Sequence, residues 1–165
     1  MEKPLWAPWR MEFIRAEKPS GCVFCGFAAA PEPQDRANLV VHRSAQAFTC
    51  LNKYPYNSGH LMVIPRAHVA ELGALAPDAF GDLQEELRRA IDVVQRVYRP
   101  EGMNVGMNLG RSAGAGIADH LHWHVVPRWV GDNNFMPVLA DVRVIPQALD
   151  EAWAALHAGF TGRSP

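Results

Sequence analysis

The segment "HLHWHVVPRW", His120–Trp129, alternates imidazole with apolar side chains and restricts its own conformation more tightly than any other stretch of the chain. In an extended strand successive side chains point to opposite faces. His120, His122 and His124 then share one face, while Leu121, Trp123 and Val125 fill the other. An apolar face of that kind has to be covered, so the chain must build a sheet with one side packed on a core. The other side is left to present three imidazoles together.

Three imidazoles this close cannot all hold protons, because like charges depress one another's pKa. At neutral pH at least one is neutral, with a free lone pair. It can then act as a nucleophile, a base or a metal ligand. A purely solvated polar face is the plainer alternative. Three of the seven histidines and an apolar opposite face argue against it.

The remaining chain supplies the rest of a sheet and its cover. "QAFTCLN" and "GHLMVIP" read as strands around the turn-forming "KYPYNS", and "MNVGMNL" as another. Pro77 opens a helix whose apolar positions Phe80, Leu83, Leu87, Ile91, Val94 and Val97 or Tyr98 recur every three or four residues. Pro100 and Gly102 end it. "DEAWAALHAGF" is a short terminal helix, "AAAPEPQDRAN" a Pro-rich polar loop, "GRSAGAG" a glycine-bearing loop and "GDNNFMP" a polar turn. The expected fold class is therefore α+β, with a mainly antiparallel sheet, one long helix and a short C-terminal helix.

A length of 165 residues and a hydrophobic content of 48% suit one domain over residues 1–165. It divides into an aromatic N-terminal arm (1–20, with Trp6 and Trp9), a core of about 21–130 and a C-terminal segment (131–165). Sixteen basic residues against 17 acidic ones give a net charge of −1, with no overall pull toward nucleic acid or anionic membrane. The start "MEKPLWAPWRMEF" lacks a signal peptide's apolar core, so the chain reads as cytoplasmic. Cys22, Cys25 and Cys50 do not resemble a disulfide framework. The C-x-x-C pair is half of a metal site or a redox motif, and without a thioredoxin-like βαβ pattern metal is the better reading.

"HLHWHVV" also resembles the His-φ-His-φ-His-φ-φ signature of the histidine triad superfamily of nucleotide hydrolases and transferases, φ being apolar. The resemblance runs from about Cys22 to Trp129 and takes in "CVFC", "LNKYPYNSGHLMVIPRAH" and "MNLGRSAGAG" in the family's order. "LWAPWR", "PRW" and "GDNNFMP" look most like the bacterial diadenosine tetraphosphate phosphorylase branch. The resemblance implies a histidine triad fold. It implies that His122 attacks the α-phosphorus of a nucleotide, its other ring nitrogen donating to a backbone carbonyl, while His124 holds a non-bridging phosphate oxygen. By the same resemblance Asn52 bonds the ribose, His60 lies beside ribose and α-phosphate, and Asn108 binds the phosphate or attacking group. Gly110, Gly114 and Gly116 let backbone approach the phosphates, and Phe24 lines the purine pocket. Taken alone, Asn52 reads as a turn residue, His60 as a strand polar residue, and Phe24 equally well as core.

Cys22, Cys25, His68 and His120 match the set that binds zinc in many family members, a closed structural site with no organic cofactor. His120 then serves the metal through its ring and His122 through its carbonyl. One departure stands out: Gly116-Ile117 replaces the Gln-Ser or Gln-Thr that many members carry there, with Ser112 or Arg111 as substitutes and Arg111 and Arg128 as a positive field. His42 and His157 match nothing and read as surface residues. The implied function is cleavage of dinucleoside polyphosphates through a nucleotidyl-histidine, with phosphate resolving it to ADP. The alternatives are hydrolysis to AMP, a nucleotide-binding regulatory module with weak activity, and a hydrolase using the triad as metal ligands. The implied partners are a small nucleotide substrate and a second copy in a homodimer, extendable to a tetramer.

Overall fold

The computed structural model describes residues 21–132 and 147–162. Helix α1 (Val23–Ala29) leads through a 3-10 turn at Glu32–Gln34 to strands β1 (Val40–Arg43), β2 (Ala47–Leu51) and β3 (Leu61–Pro65). A second such turn, Leu72–Ala74, precedes α2 (Pro77–Tyr98). Strand β4 (Gly102–Met107), a turn at Arg111–Ala113, β5 (Trp123–Arg128) and α3 (Leu149–Thr161) complete the described chain. The strands pair antiparallel throughout, in the order β1-β2-β3-β5-β4. This is the expected α+β architecture. The N-terminal arm and most of the "GDNNFMP" turn lie outside the described residues.

Alternation gives the sheet two different faces. Ala47, Leu51, Leu61, Val63 and Val125 pack under Leu83, Leu87, Ala90 and Val94 of α2 and Leu156 of α3. Phe48, Cys50, Met62 and Ile64 take the opposite face, together with Phe24 of α1. Because both faces are covered there, β2 and β3 are buried at every position, and they read as continuous apolar runs. Each fully buried leucine or valine contributes about 1.5–3 kcal/mol, which makes α2 the main cover of the fold.

Helix α2 starts with Pro77 in its first turn and ends at Arg99, whose φ of 45° is left-handed. Phe80 is not on its buried face as expected: it is 40% exposed, and Ala79 takes the inward position. The same face buries Glu86, which accepts from the Thr49 hydroxyl at 2.6 Å and from His42 Nδ1–H at 2.8 Å. Arg89 Nη1 donates to His42 Nε2 at 3.2 Å. His42 is therefore a structural link between β1 and α2, contrary to its surface reading. Where α3 crosses α2, a Cβ on Gly159 would sit 2.9 Å from both Val93 and Val97, so glycine sets the close approach of the two helices.

His157 also departs from the surface reading. The pairing of β1 with β2 shifts register between Val40 and His42, and such a bulge leaves backbone groups unpaired. Trp153 Nε1–H donates to the Val40 carbonyl at 2.7 Å, and His157 Nδ1–H to the Val41 carbonyl at 2.9 Å. Helix α3 thus closes the β1 edge. Strand β4, the opposite edge, is half-buried at best, and its Val105 is 41% exposed. Among the described residues no helix is long and apolar enough to cross a membrane.

Candidate active site

Strand β5 begins only at Trp123, so His124 lies within the strand while His120 and His122 precede it. The expectation that one strand carries all three is corrected. Leu121 N–H donates to the Val69 carbonyl at 2.8 Å, drawing the chain away from the sheet ladder. The three rings still gather on the Phe24 side. Phe24 meets His120 edge-on at 5.5 Å and His122 at 5.2 Å, and His122 meets His124 at 5.0 Å between ring centroids. His124 is paired across the sheet with Met62 on one side and Gly106 on the other.

Backbone groups settle where the protons sit. His122 Nδ1 lies 2.9 Å from the His120 carbonyl, an acceptor only, so Nδ1 carries the proton. In the neutral ring Nε2 is then bare. His120 Nε2 likewise donates to the Pro65 carbonyl at 2.8 Å, leaving its Nδ1 bare. At His60 the logic runs in reverse. Tyr56 N–H donates to His60 Nδ1 at 3.1 Å, so the His60 proton is on Nε2, which donates to His124 Nδ1 at 2.9 Å. His124 is thereby left with its proton on Nε2. The site holds a bare nitrogen on His122 beside an N–H donor on His124.

Burial keeps these rings neutral. Desolvation lowers the pKa of His122, opposed by its bond to the His120 carbonyl. His124 is brought down to about 4 by desolvation and then by the neighbouring His122. His120 is lowered mainly by desolvation, with smaller effects from His68 and His122. The tilted Phe24 ring, itself 2% exposed, is part of this dry wall.

Behind the triad, four donor atoms converge. His120 Nδ1 lies 3.3 Å from Cys22 Sγ, 3.7 Å from Cys25 Sγ and 3.3 Å from His68 Nδ1, while Cys25 Sγ and His68 Nδ1 are 3.2 Å apart. All four atoms lie within 4.8 Å of one another. Tetrahedral zinc bonds of about 2.0–2.3 Å require ligand atoms roughly 3.5 Å apart, so this spacing fits the ion. Cys50 takes no part: it is fully buried among apolar side chains, which pushes its thiol up to about 12.

The other expected residues are placed as follows. Asn52 Oδ1 accepts from Tyr54 N–H at 2.9 Å and so holds the turn after β2. Asn108 is half-buried just past β4. Gly110, Gly114 and Gly116 lie in the exposed loop between β4 and β5. Gly110 (φ +79°) and Gly114 (φ +86°) are in the left-handed region, and an added Cβ would meet nothing within 4 Å, so backbone conformation rather than space demands glycine. Ile117 packs partly buried against the Phe24 cluster. Arg128 supplies little free field, because it is spent on Asp132 and Asn104. The Tyr56 amide, the Pro65 carbonyl, Asn57 and Asp132 were not expected at the site. The first two are backbone groups with no residue signature. The "NS" turn and the "GD" pair were the available signals for the others.

A five-stranded antiparallel sheet carrying a His-φ-His-φ-His segment over buried, neutral rings defines a histidine triad protein. The sequence matches the HIT domain family over residues 34–130, and the chain belongs to that family. It is 45% identical over 152 residues to AP-4-A phosphorylase of Mycobacterium tuberculosis, spanning 88% of this chain and 77% of that protein. It is 31% identical over 93 residues to the asymmetrical bis(5'-nucleosyl)-tetraphosphatase of Schizosaccharomyces pombe, spanning 56% of this chain and 50% of that one. Among solved structures, a zinc-bound histidine triad family protein from Mycobacterium smegmatis shares the fold with a TM-score of 0.67 at 23% identity, covering 86% and 94% of the two chains.

Proposed function

We propose that this chain cleaves dinucleoside polyphosphates, diadenosine tetraphosphate foremost, and passes the adenylyl group through His122 to inorganic phosphate. The observation that carries the reading is the bare, buried Nε2 of His122, fixed by the bond from Nδ1 to the His120 carbonyl. That nitrogen attacks the α-phosphorus. An N–P bond forms, the P–O bond to the rest of the substrate breaks, and ATP leaves with the bond electrons. A phosphate oxygen then attacks the adenylyl-histidine, giving ADP and restoring the neutral ring. Identity to the mycobacterial phosphorylase supports phosphate as acceptor.

In this reading His124 Nε2–H holds a non-bridging phosphate oxygen, and His60 maintains that donor. Transfer of this kind depends on positioning and charge neutralisation more than on new covalent chemistry. Asn108 and the backbone of Gly110, Gly114 and Gly116 meet the phosphates, Asn52 the ribose, and Phe24 the dry wall behind the nucleophile. Cys22, Cys25, His68 and His120 hold zinc, whose contribution is a fixed tie between α1, the segment after β3 and the chain leading into β5. A second copy docks along β4, the edge that α3 does not close and that exposes Val105. The neutral charge and nucleotide chemistry suit the cytoplasm.

Incubation with diadenosine tetraphosphate, with and without phosphate, followed by nucleotide chromatography tests the proposal. Phosphorolysis yields ADP and ATP, and water as acceptor yields AMP and ATP. The second outcome is the activity printed in the fission-yeast relative's name. Near-normal turnover by His122→Ala sinks the assigned nucleophile.

A further inference from the structure

Asp132 follows the end of β5, and its side chain is only 8% exposed. It accepts from Arg128 Nε at 2.6 Å and Nη2 at 2.9 Å, from Trp129 N–H at 3.2 Å and from Asn57 Nδ2 at 2.8 Å. The Arg128 guanidinium holds its carboxyl well below the usual carboxylate range, so the charge is permanent at any working pH. Asn57 spends the same amide nitrogen on the Pro127 carbonyl at 3.0 Å. The Asn57 side chain is thus fastened to the end of β5 at two points.

That fastening reaches the catalytic rings within a few bonds. Asn57 follows Tyr56, whose amide sets the His60 tautomer, and the Asn57 carbonyl accepts from His60 N–H at 3.2 Å. The Tyr56 ring stacks on His60 at 4.9 Å. The His60 backbone is held by Asn52 N–H and by the pairing of Leu61 with Val125, while the turn ahead of it reaches the end of β5 through the Asn57 side chain. The Pro127 carbonyl ties the Asn57 side chain to β5 directly, and Asp132 adds a second, charged anchor just past the strand.

We infer that Asp132 is a positioning residue for the reaction: by clamping Asn57 it holds the Tyr56 amide on His60 and so keeps the His124 proton on Nε2. The inference rests on the proposed role of His124 as phosphate-oxygen donor. Removal of the clamp lets the turn shift, His60 samples both tautomers, and His124 ceases to be a constant donor. Loss of a residue that orients a reacting group through another typically lowers turnover about 10- to 100-fold.

The test uses the full chain and the variants Asp132→Asn, Asn57→Ala and their double. Nitrogen chemical shifts of the histidine rings report tautomers without substrate, and steady-state kinetics with diadenosine tetraphosphate and phosphate report turnover. Each single variant is expected to lower kcat about 10- to 100-fold with KM changed less than about threefold. The double should be little worse than either single, and the His60 and His124 signals should shift to mixed tautomers. Unchanged tautomers, or additive losses in the double, overturn the inference. Should Asp132→Asn fail to fold, Asn57→Ala decides alone: it removes the bond to Asp132 together with the one to the Pro127 carbonyl, so unchanged ring signals overturn the inference and mixed tautomers support it. If His122→Ala proves active, the functional reading fails, yet the substrate-free ring signals still judge Asp132.

Discussion

His60 Nε2 lies 2.9 Å from His124 Nδ1, the two rings coming from neighbouring antiparallel strands, one just before β3 and one within β5 opposite Met62. The contact converts a backbone N–H at Tyr56 into a defined proton on the far nitrogen of His124. His60→Phe keeps a ring for Tyr56 to stack on and removes the donor. Steady-state kinetics should show kcat reduced about 10- to 100-fold with little change in KM. A variant with wild-type kcat refutes the relay.

The depressed pKa values give stability a direction with pH. His124 titrates at about 4 in the folded chain against an ordinary 6.5, and His122 and His120 are lowered too. Between those values the unfolded chain binds the protons and the folded one does not. The stability these groups contribute is fully present above about pH 6.5 and is lost as pH falls toward about 4. Urea midpoints measured at pH 7.5, 6 and 5 should decline in that order, and turnover should decline with protonation of His122. A flat stability profile contradicts the burial argument.

Some of this was legible in the chain alone. The strands at Ala47–Leu51 and Leu61–Pro65, the long helix and the terminal helix follow from apolar period and turn residues. Strand β1 was not read, because four residues with a bulge carry too short a pattern. Helix α1 was missed because it spans seven residues with no capping side chain. Glu86 recruits His42 from another element, and the β1 bulge recruits His157, which local sequence cannot show. The histidine run announced a reactive cluster. The family resemblance implied the His120 carbonyl that orients His122, but the other proton positions depend on Tyr56 N–H and the Pro65 carbonyl, main-chain groups that leave no mark on a sequence.

Gly59 gives a test of the loop that carries His60. Its φ is +77°, and a Cβ there would lie 2.5 Å from the Tyr98 ring. Tyr98 is in turn held by its hydroxyl, which donates to Gln147 Oε1 at 2.7 Å. Gly59→Ala combines a left-handed penalty with overpacking, so a loss of about 2–4 kcal/mol is expected in denaturant unfolding. A change below about 0.5 kcal/mol would mean that the loop relaxes freely.

Metal content follows from the four converging donors. Purified protein should carry about one zinc per chain, and Cys25→Ser should lose most of it. Because the site ties three segments together, the loss should lower Tm by about 5 °C or more. Elemental analysis beside calorimetry separates this from simple packing damage. A Cys25→Ser protein with full zinc and unchanged Tm removes the site.

The two edges of the sheet make a last, contrasting prediction. At β1 the carbonyls of Val40 and Val41 accept from Trp153 and His157, so a further strand finds them occupied. At β4 no described element pairs with the outer side, and Val105 adds exposed apolar surface on the same face as Met103 and Met107. An unpaired edge with apolar surface beside it is a template for another strand, and a second β4 is the partner always present at equal concentration. Val105→Lys places a charge where that interface would bury it. Light scattering should report a dimer for the wild type and a monomer for the variant, with the far-ultraviolet dichroism of the two alike. If the variant stays dimeric, association runs through another surface. If both are monomers, the β4 edge is left to solvent.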